Sequence, residues 1–565
     1  MRFRWFVSVI LLLGLLGVGV AKAGAVEKFT AVYATTGAGL TNHGTGKPRA
    51  EAVRWWYSET DRVYYLFMPS NTQTLRLWLE GAEQGTLDGQ PFVSGEEASR
   101  LLQSGTHTLT VGKRAYSLRV LCSAGVPTLF ITTKSGSLTY IHHRKENKES
   151  GTLHLIDARG KNVYQGDLAQ IRGRGNATFV LNKKPYQIKL DKASDLLGMG
   201  KAKTWVLLAE FRDNSLLRNR LAFELAKAVG MPYTSQAQTV DVYINHDYLG
   251  AYTLCEKVEV GDTRVAIADL GKATKAINEA PLESYKRYGY NSYRVGTQKA
   301  FHIPTDPQDI TGGYLLELDY KMRYSSEASG FVTTKGQAVV VKEPELASQQ
   351  QITYIASLMQ GFENAIRASN GVDPKSGKHY SEFVDLQSLI NKYVLEEVLK
   401  NRDANRSSLY FYKPADAVSS LAFMGPAWDY DAAMGNYASR ANDKVLLPEF
   451  FCVNNDEGEN FYFFPQLYAH EDFQAAAIAA YQSRFVPALE VLLGMRTDAA
   501  GTLQSIQAYA DEIESCAAMN FTRWPVFNSK ARIVKTGETY QENIDYLVRF
   551  FQGRLAFLNA VWQGK

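Results

Sequence analysis

The residues best suited to chemistry fall in two clusters and at two isolated positions. Asn401-Arg402-Asp403 ends the apolar run LINKYVLEEVLK, and Gly425-Pro-Ala-Trp-Asp429-Tyr-Asp431 adds two more carboxylates before Gly435-Asn436. Packing seldom needs three carboxylates at abrupt element ends, whereas magnesium with oxygen ligands and a base for a hydroxyl proton do. Helix caps and turn formers are the structural alternative for the set. The second cluster, Arg172-Gly173-Arg174-Gly175-Asn176, lies between strand-like segments. Paired glycines there let backbone N–H groups approach a ligand's phosphates. The P-loop pattern is missing, and an ordinary two-glycine turn reads the same way. In PYQIKL, alternation puts Tyr186, Ile188 and Leu190 on one face and Gln187 and Lys189 on the other. Glu224 lies within the helical stripe Leu217, Leu221, Ala228, where an unpaired carboxylate is costly and a cationic partner is expected.

The elements that must position these residues change character along the chain. Short alternating runs (Arg62 to Met68, Leu75 to Leu79, His107 to Val111, Ala115 to Leu121), punctuated by turns such as Leu87-Asp88-Gly89, predict a small β-sandwich over 24–125. Trp55, Trp56 and Trp78 there serve either core packing or a carbohydrate platform. From Val126 come further strands, then Trp205 to Ala209, then a helix from near Asp213 to Ser215 that stops at Gly230 with Pro232 beyond. The hairpin Val240 to Ile244 and Tyr248 to Val258 follows. Residues 261–310 are weakly periodic and read as an insertion or long loop. GGYLLELD (Gly312 to Asp319) is again strand-like, and amphipathic helices are expected near 348–368, 385–400, 471–483, 501–518 and 540–562.

Composition narrows the function classes. Among 565 residues, 62 Lys plus Arg oppose 58 Asp plus Glu, a formal charge of +4 that argues against a nucleic-acid partner. With 45% apolar and 12% aromatic residues, the chain can bury several cores. Arg2, Arg4, the apolar run Phe6 to Val20 and Ala21-Lys22-Ala23 have the form of a cleavable signal peptide, 1–23. The run spans about 22 Å as a helix, short of the roughly 30 Å hydrocarbon core. The expectation is therefore an exported protein, in periplasm, cell surface or medium, with no membrane span after cleavage. Cys122, Cys255, Cys452 and Cys516 are scattered, and either disulfides or buried free thiols satisfy the pattern. Neither they nor the nine histidines show zinc-site spacing.

Glycine-bearing loop, strand lysine, helix glutamate, hairpin and two acidic motifs follow one another in the order of a protein-kinase fold, without its H-R-D or D-F-G signatures. The segments IRGRGNATF, KKPYQIKL, LLGMGKAKTWVLLAEFRDNSLLRNRLAFELAKAVG, VDVYINHDYLGAYTLCEKVEV, GGYLLELD, KNRDANRSSLYFYK and GPAWDYDAAMGN resemble the spore-coat protein H (CotH) kinase family. The resemblance runs from about Pro127 to near Trp562. It implies an α+β fold with an atypical two-lobed, protein-kinase-like domain over 126–565: an N-lobe to about 260, the insertion, and a helical C-lobe from about 311. It further implies ATP with Mg2+ (or Mn2+) and phosphoryl transfer to Ser or Thr of an exported surface or coat protein.

By the same resemblance, Asp403 is the base, Asp429 the principal metal ligand and Asp431 its helper. Lys189 neutralises phosphates and is held by Glu224, Arg172 to Asn176 cover the phosphates, and Glu256 flanks the adenine. Kinases commonly place Asn five residues after the base; Ser408 stands there, leaving Asn405 as the candidate second metal ligand. Phosphoryl transfer needs charge neutralisation and alignment rather than a nucleophilic side chain, which this set provides. Two other readings compete: a non-catalytic surface or adhesion protein with a kinase-like ligand-binding domain, and a secreted glycoside hydrolase working through paired carboxylates.

Overall fold

The computed structural model describes residues 29–34, 52–79, 81–289, 293–401, 404, 407–436, 447–449, 451–452, 463–528 and 536–562. The segment 1–23 lies outside them. The chain is a mixed α+β protein built on four sheets.

The first sheets are a three-stranded one (Ala52–Arg54, Phe29–Ala34, Thr74–Leu79) and a six-stranded one running from Trp56–Ser58 through Val63–Met68 and Arg114–Cys122 to Gln90–Val93. Their apolar positions meet in one cluster, with Val53, Leu75 and Leu77 from the first sheet against Leu66, Phe67 and Leu118 from the second. Asp88 and Gly89, at φ +52° and +75°, turn Gln84–Leu87 into Gln90–Val93, the left-handed pair a two-residue hairpin needs. Trp55 is buried, and Trp56 packs on Tyr65 and Phe67 beneath the Arg523 guanidinium. Core packing accounts for both.

Next comes a closed seven-stranded barrel: Thr128–Thr133, Lys148–Ile156, Asn162–Gly173, Tyr186–Asp195, Lys201–Leu208, Asp247–Glu256 and Ala237–Ile244, closed by the parallel pairing of the first and last. Ile171, Ile188, Leu190, Trp205, Leu207 and Leu254 help fill its interior. The turn Asn245-His246, both at positive φ, closes the final hairpin.

Two expectations are corrected beyond the barrel. Residues 261–310 are not a long loop: Leu270–Ala276 is helical, and Arg287–Tyr288 and Gln298–Phe301 are strands of a seven-stranded sheet. The second half, expected to be mainly helical apart from strands at 312–319 and 409–413, also holds more strand than that, because this sheet runs through it in the order 287–288, 298–301, 329–332, 338–343, 314–319, 409–413, 423–424. Buried Val339, Val340, Leu315 and Leu316 make its middle strands apolar on both faces, so alternation is weak there.

The helices fall near their expected places: Gln349–Arg367 with a Ser348/Gln351 capping box, Leu386–Leu399, Glu471–Ala480 and Tyr540–Trp562. The expected 501–518 helix is two, Ile506–Glu512 and Glu514–Arg523, broken at Ile513. All four cysteines are free thiols. Among the described residues no helix is long and apolar enough to cross a membrane.

Candidate functional site

Asp429 is held from several directions. Its backbone is left-handed (φ +69°), as is that of Ser408 (φ +61°), whose Oγ donates to Asp429 Oδ2 at 3.0 Å. Asn401 Nδ2 donates to the Asp429 carbonyl (3.3 Å), and the next N–H, of Tyr430, donates to Asn219 Oδ1 (2.8 Å). The Tyr430 hydroxyl donates to Glu396 Oε1 (2.7 Å) and accepts from Lys392 Nζ (3.0 Å), so helix Leu386–Leu399 fixes the ring from below. Phe223 stacks on Trp428. Left-handed backbone at two non-glycine positions is uncommon and persists where surrounding contacts favour it, as these do.

The segment 210–220 clamps the same loop. Asn219 Nδ2 donates to both Glu210 oxygens (3.2 and 3.0 Å), tying the Tyr430 amide to a buried carboxylate. Arg218 ion-pairs with Asp213 in full burial and donates to the carbonyls of Ala433 (3.2 Å) and Met434 (3.3 Å). Asn436 Nδ2 donates to Arg212 O (2.9 Å) and Asp431 O (2.7 Å). Asp213 also accepts from the Ser215 and Arg218 amides, so the helix begins at Arg218 rather than near 213–215, with Leu216 at φ +59°.

A charged face flanks Asp429. Glu317 and Asp319, two apart on the buried strand Tyr314–Asp319, are each 3% exposed. Arg323, from the turn of helix Lys321–Tyr324, lies 3.6 Å from Glu317 and 3.4 Å from Asp319; Lys342 lies 3.5 Å from Glu317. Burial pushes the Asp319 carboxyl up to about 7, against the pull of Arg323. Burial alone would lower the Arg323 guanidinium, but Glu317 and Asp319, with smaller help from Tyr410 and Asp429, outweigh it and raise it. Tyr410, paired with Glu317 across the sheet, is raised far above the usual phenol range by burial and then by Glu317, with Arg323 and Arg174 opposing. From the barrel side, the Arg174 guanidinium lies over the Trp428 ring at 5.4 Å.

The structure thus brings together Arg174, Trp428 and Asp429 and leaves other expected residues apart. Lys189 is exposed on the barrel's outer face, in register with Gln170 and Thr204. The expected pair of Lys189 with Glu224 does not form: the cationic partner of Glu224 is Lys227, one turn along its own helix, at 2.8 Å. Glu256 is buried, ion-paired with Arg264 and bonded by the Gln236 amide (2.8 Å), which spends its carboxylate on the fold. Arg172 donates to Gln187 Oε1 (3.0 Å) and Asn176 accepts from Lys145 (3.0 Å). A Cβ at Gly173 would strike Phe179 at 2.2 Å and one at Gly175 would strike Thr178 Oγ1 at 2.2 Å, so loop closure itself requires both glycines. Asp403 and Asn405 lie outside the described residues. Glu317, Asp319, Arg323, Asn219 and Ser408 were missed as site residues, although two carboxylates at i and i+2 in an otherwise apolar strand were a usable signal.

Among the described residues no group of three His, Cys, Asp or Glu side chains is disposed to hold a metal. Asp429 nonetheless suits Mg2+: it is a half-buried carboxylate, one oxygen of which is steadied by Ser408. Mg2+ in phosphotransfer sites takes one or two carboxylates and completes its shell with water and substrate phosphate.

A family model described as CotH kinase protein matches residues 171–558, well over half of the chain and including every site segment above. No curated protein matches the chain.

Proposed function

The chain belongs to the CotH kinase protein family, and on that premise we propose that it is an exported, atypical protein kinase. It transfers the terminal phosphoryl group of ATP, with Mg2+ or Mn2+, to a Ser or Thr hydroxyl of a surface or coat protein. The observation that carries this reading is the fixation of Asp429: a left-handed carboxylate steadied by Ser408, Asn401, Asn219 and the Tyr430–Glu396–Lys392 group, facing an arginine-bearing loop. Such pre-organisation suits alignment of phosphates.

In this reading the barrel serves as the N-terminal lobe of a two-lobed, kinase-like domain, and the seven-stranded sheet with its helices as the other. The two sheets before the barrel form a β-sandwich appended to it. Asp429, with Asp431 beside it, holds the metal, which when bound neutralises phosphate charge. Asp403 accepts the proton of the attacking hydroxyl. Arg174 carries the phosphate-covering role of its loop, and Lys189, on the outer face, receives none. Export rests on the basic-then-apolar start of the chain.

The test incubates the purified chain with labelled ATP, Mg2+ or Mn2+ and a Ser/Thr-rich acceptor, beside Asp403→Asn and Asp429→Ala. Label transferred by the wild type and lost in both variants supports the reading. A folded wild type with neither transfer nor metal-dependent nucleotide binding overturns it and leaves a surface binding protein.

A further inference from the structure

With Lys189 on the outer face, the cation that meets the phosphates must come from elsewhere, and two described arginines stand in place. Arg174, just past the barrel strand Asn162–Gly173, reaches over Trp428, the residue before Asp429. Arg323 stands on the turn after the strand Tyr314–Asp319, 3.6 Å from Glu317, the cross-strand partner of Tyr410. One arginine thus lies against the residue before Asp429, and the other beside Glu317, whose cross-strand partner Tyr410 is two residues from Ser408, the hydroxyl that holds Asp429.

Both retain their donors. Among the described residues the Arg323 guanidinium makes ion pairs at 3.4 and 3.6 Å, and no side-chain hydrogen bond of it is formed; its side chain is 24% exposed. Asp319 Oδ2 is likewise buried without a hydrogen-bond partner, although Arg323 Nε stands 3.4 Å away. A cation held near two carboxylates, but not spent on them, keeps its planar fork available for a dianionic phosphate, which it matches bidentately. Among the described residues the Arg174 guanidinium engages only a ring face, which leaves its N–H groups open there.

We propose that Arg323, together with Arg174, forms a clamp for the terminal phosphates of the nucleotide, and that Glu317 and Asp319 aim Arg323 at them. This rests on the phosphotransfer reading above and adds to it the residue that replaces a strand lysine. Lys342 balances the Glu317 charge from the other side, at 3.5 Å, and is itself tied to Glu327 at 3.2 Å. Arg323 is thereby a substrate-contacting residue, whereas Glu317 and Asp319 are positioning residues.

The experiment measures binding of ATP, AMP and adenosine, by titration calorimetry with Mg2+ present, to the wild type, Arg323→Gln and Arg323→Lys. Arg323→Gln should weaken ATP at least tenfold and leave adenosine unchanged; Arg323→Lys, which keeps the charge without the fork, should recover part of the loss. Thermal unfolding confirms that each variant is folded. If Arg323→Gln does not fold, Arg323→Lys, which keeps the positive charge beside Glu317 and Asp319, must still weaken ATP several-fold without affecting adenosine. Equal ATP affinity in wild type and variants overturns the Arg323 assignment alone. Parallel loss of ATP and adenosine overturns it too, since that marks a structural role. A wild type that binds no nucleotide overturns the assignment together with the phosphotransfer reading.

Discussion

At the scale of single residues, Ser408 illustrates how a substitution in a motif changes meaning once geometry is known. In the sequence it stands where kinases commonly carry a metal-ligating Asn, so it reads as a missing ligand. In the structure its hydroxyl orients Asp429 Oδ2 from 3.0 Å, and both residues adopt left-handed backbone. Asp429 was singled out in the sequence, because acidic residues crowd at a turn after a strand. The Ser408 bond was not, because it joins positions 21 apart through a backbone conformation that residue type does not disclose. A group that orients a metal ligand without touching the metal typically affects metal affinity by about 10–100-fold. Ser408→Ala should therefore raise the Mg2+ concentration needed for half-maximal nucleotide binding roughly tenfold. The check is a Mg2+ titration at fixed ATP, and an unchanged midpoint would show that Asp429 needs no such support.

At the scale of elements, the helix Arg218–Ala228 shows where periodicity stops informing. Its stripe was readable, and so was its end at Gly230 (φ +81°). Which of its polar residues serves the site was not, since Arg218, Asn219 and Arg220 are buried along with the apolar positions and no solvent face marks them off. Glu224, chosen from the stripe, pairs with Lys227, whereas Asn219 links Glu210 to the Tyr430 amide. Asn219→Ala would leave a buried carboxylate and a buried N–H without this partner, at about 1–3 kcal/mol. Urea unfolding should register that loss, together with weaker nucleotide binding through the loosened Asp429 loop. Lys189→Ala, on the exposed face of a barrel strand, should shift stability by no more than about 0.5 kcal/mol and leave ATP affinity unchanged. A large loss of ATP binding in Lys189→Ala would restore the strand lysine to the site and weaken the case for the arginines.

At the scale of the whole molecule, the helix Glu514–Arg523 joins parts of the chain that sequence reading had to treat separately. Ser515 Oγ accepts from the Ala124 amide (2.8 Å), Arg523 covers Trp56 in the N-terminal sheets, and Trp524 Nε1 donates to Leu249 O (2.8 Å) in the barrel. Asn520 Oδ1 accepts from Lys183 Nζ (2.8 Å) and the Ala251 amide (3.2 Å). Strand and helix identities were readable from local patterns; these junctions were not, because their partners lie hundreds of positions apart and carry no local periodicity.

The junction has a pH signature. Burial holds Lys183 at about 7, below its ordinary 10.5, despite the opposing pull of Glu210 and Asp241. Between those values the unfolded chain binds the proton that the folded chain gives up. This contribution to stability is therefore complete above about 10.5 and is lost as pH falls to about 7. Glu210 is raised by burial from 4.5 to about 7, with Asp213 adding to the effect, so its contribution has the opposite slope. It is complete below about 4.5 and lost as pH rises to about 7. Denaturant midpoints followed from pH 4 to 10 should then show, relative to wild type, a flattened alkaline limb in Lys183→Met and a flattened acidic limb in Glu210→Gln. If the Lys183→Met curve runs parallel to wild type above pH 7, the lysine is solvated and charged in the folded protein. The contact of Asn520 with the barrel would then be looser than the structure places it.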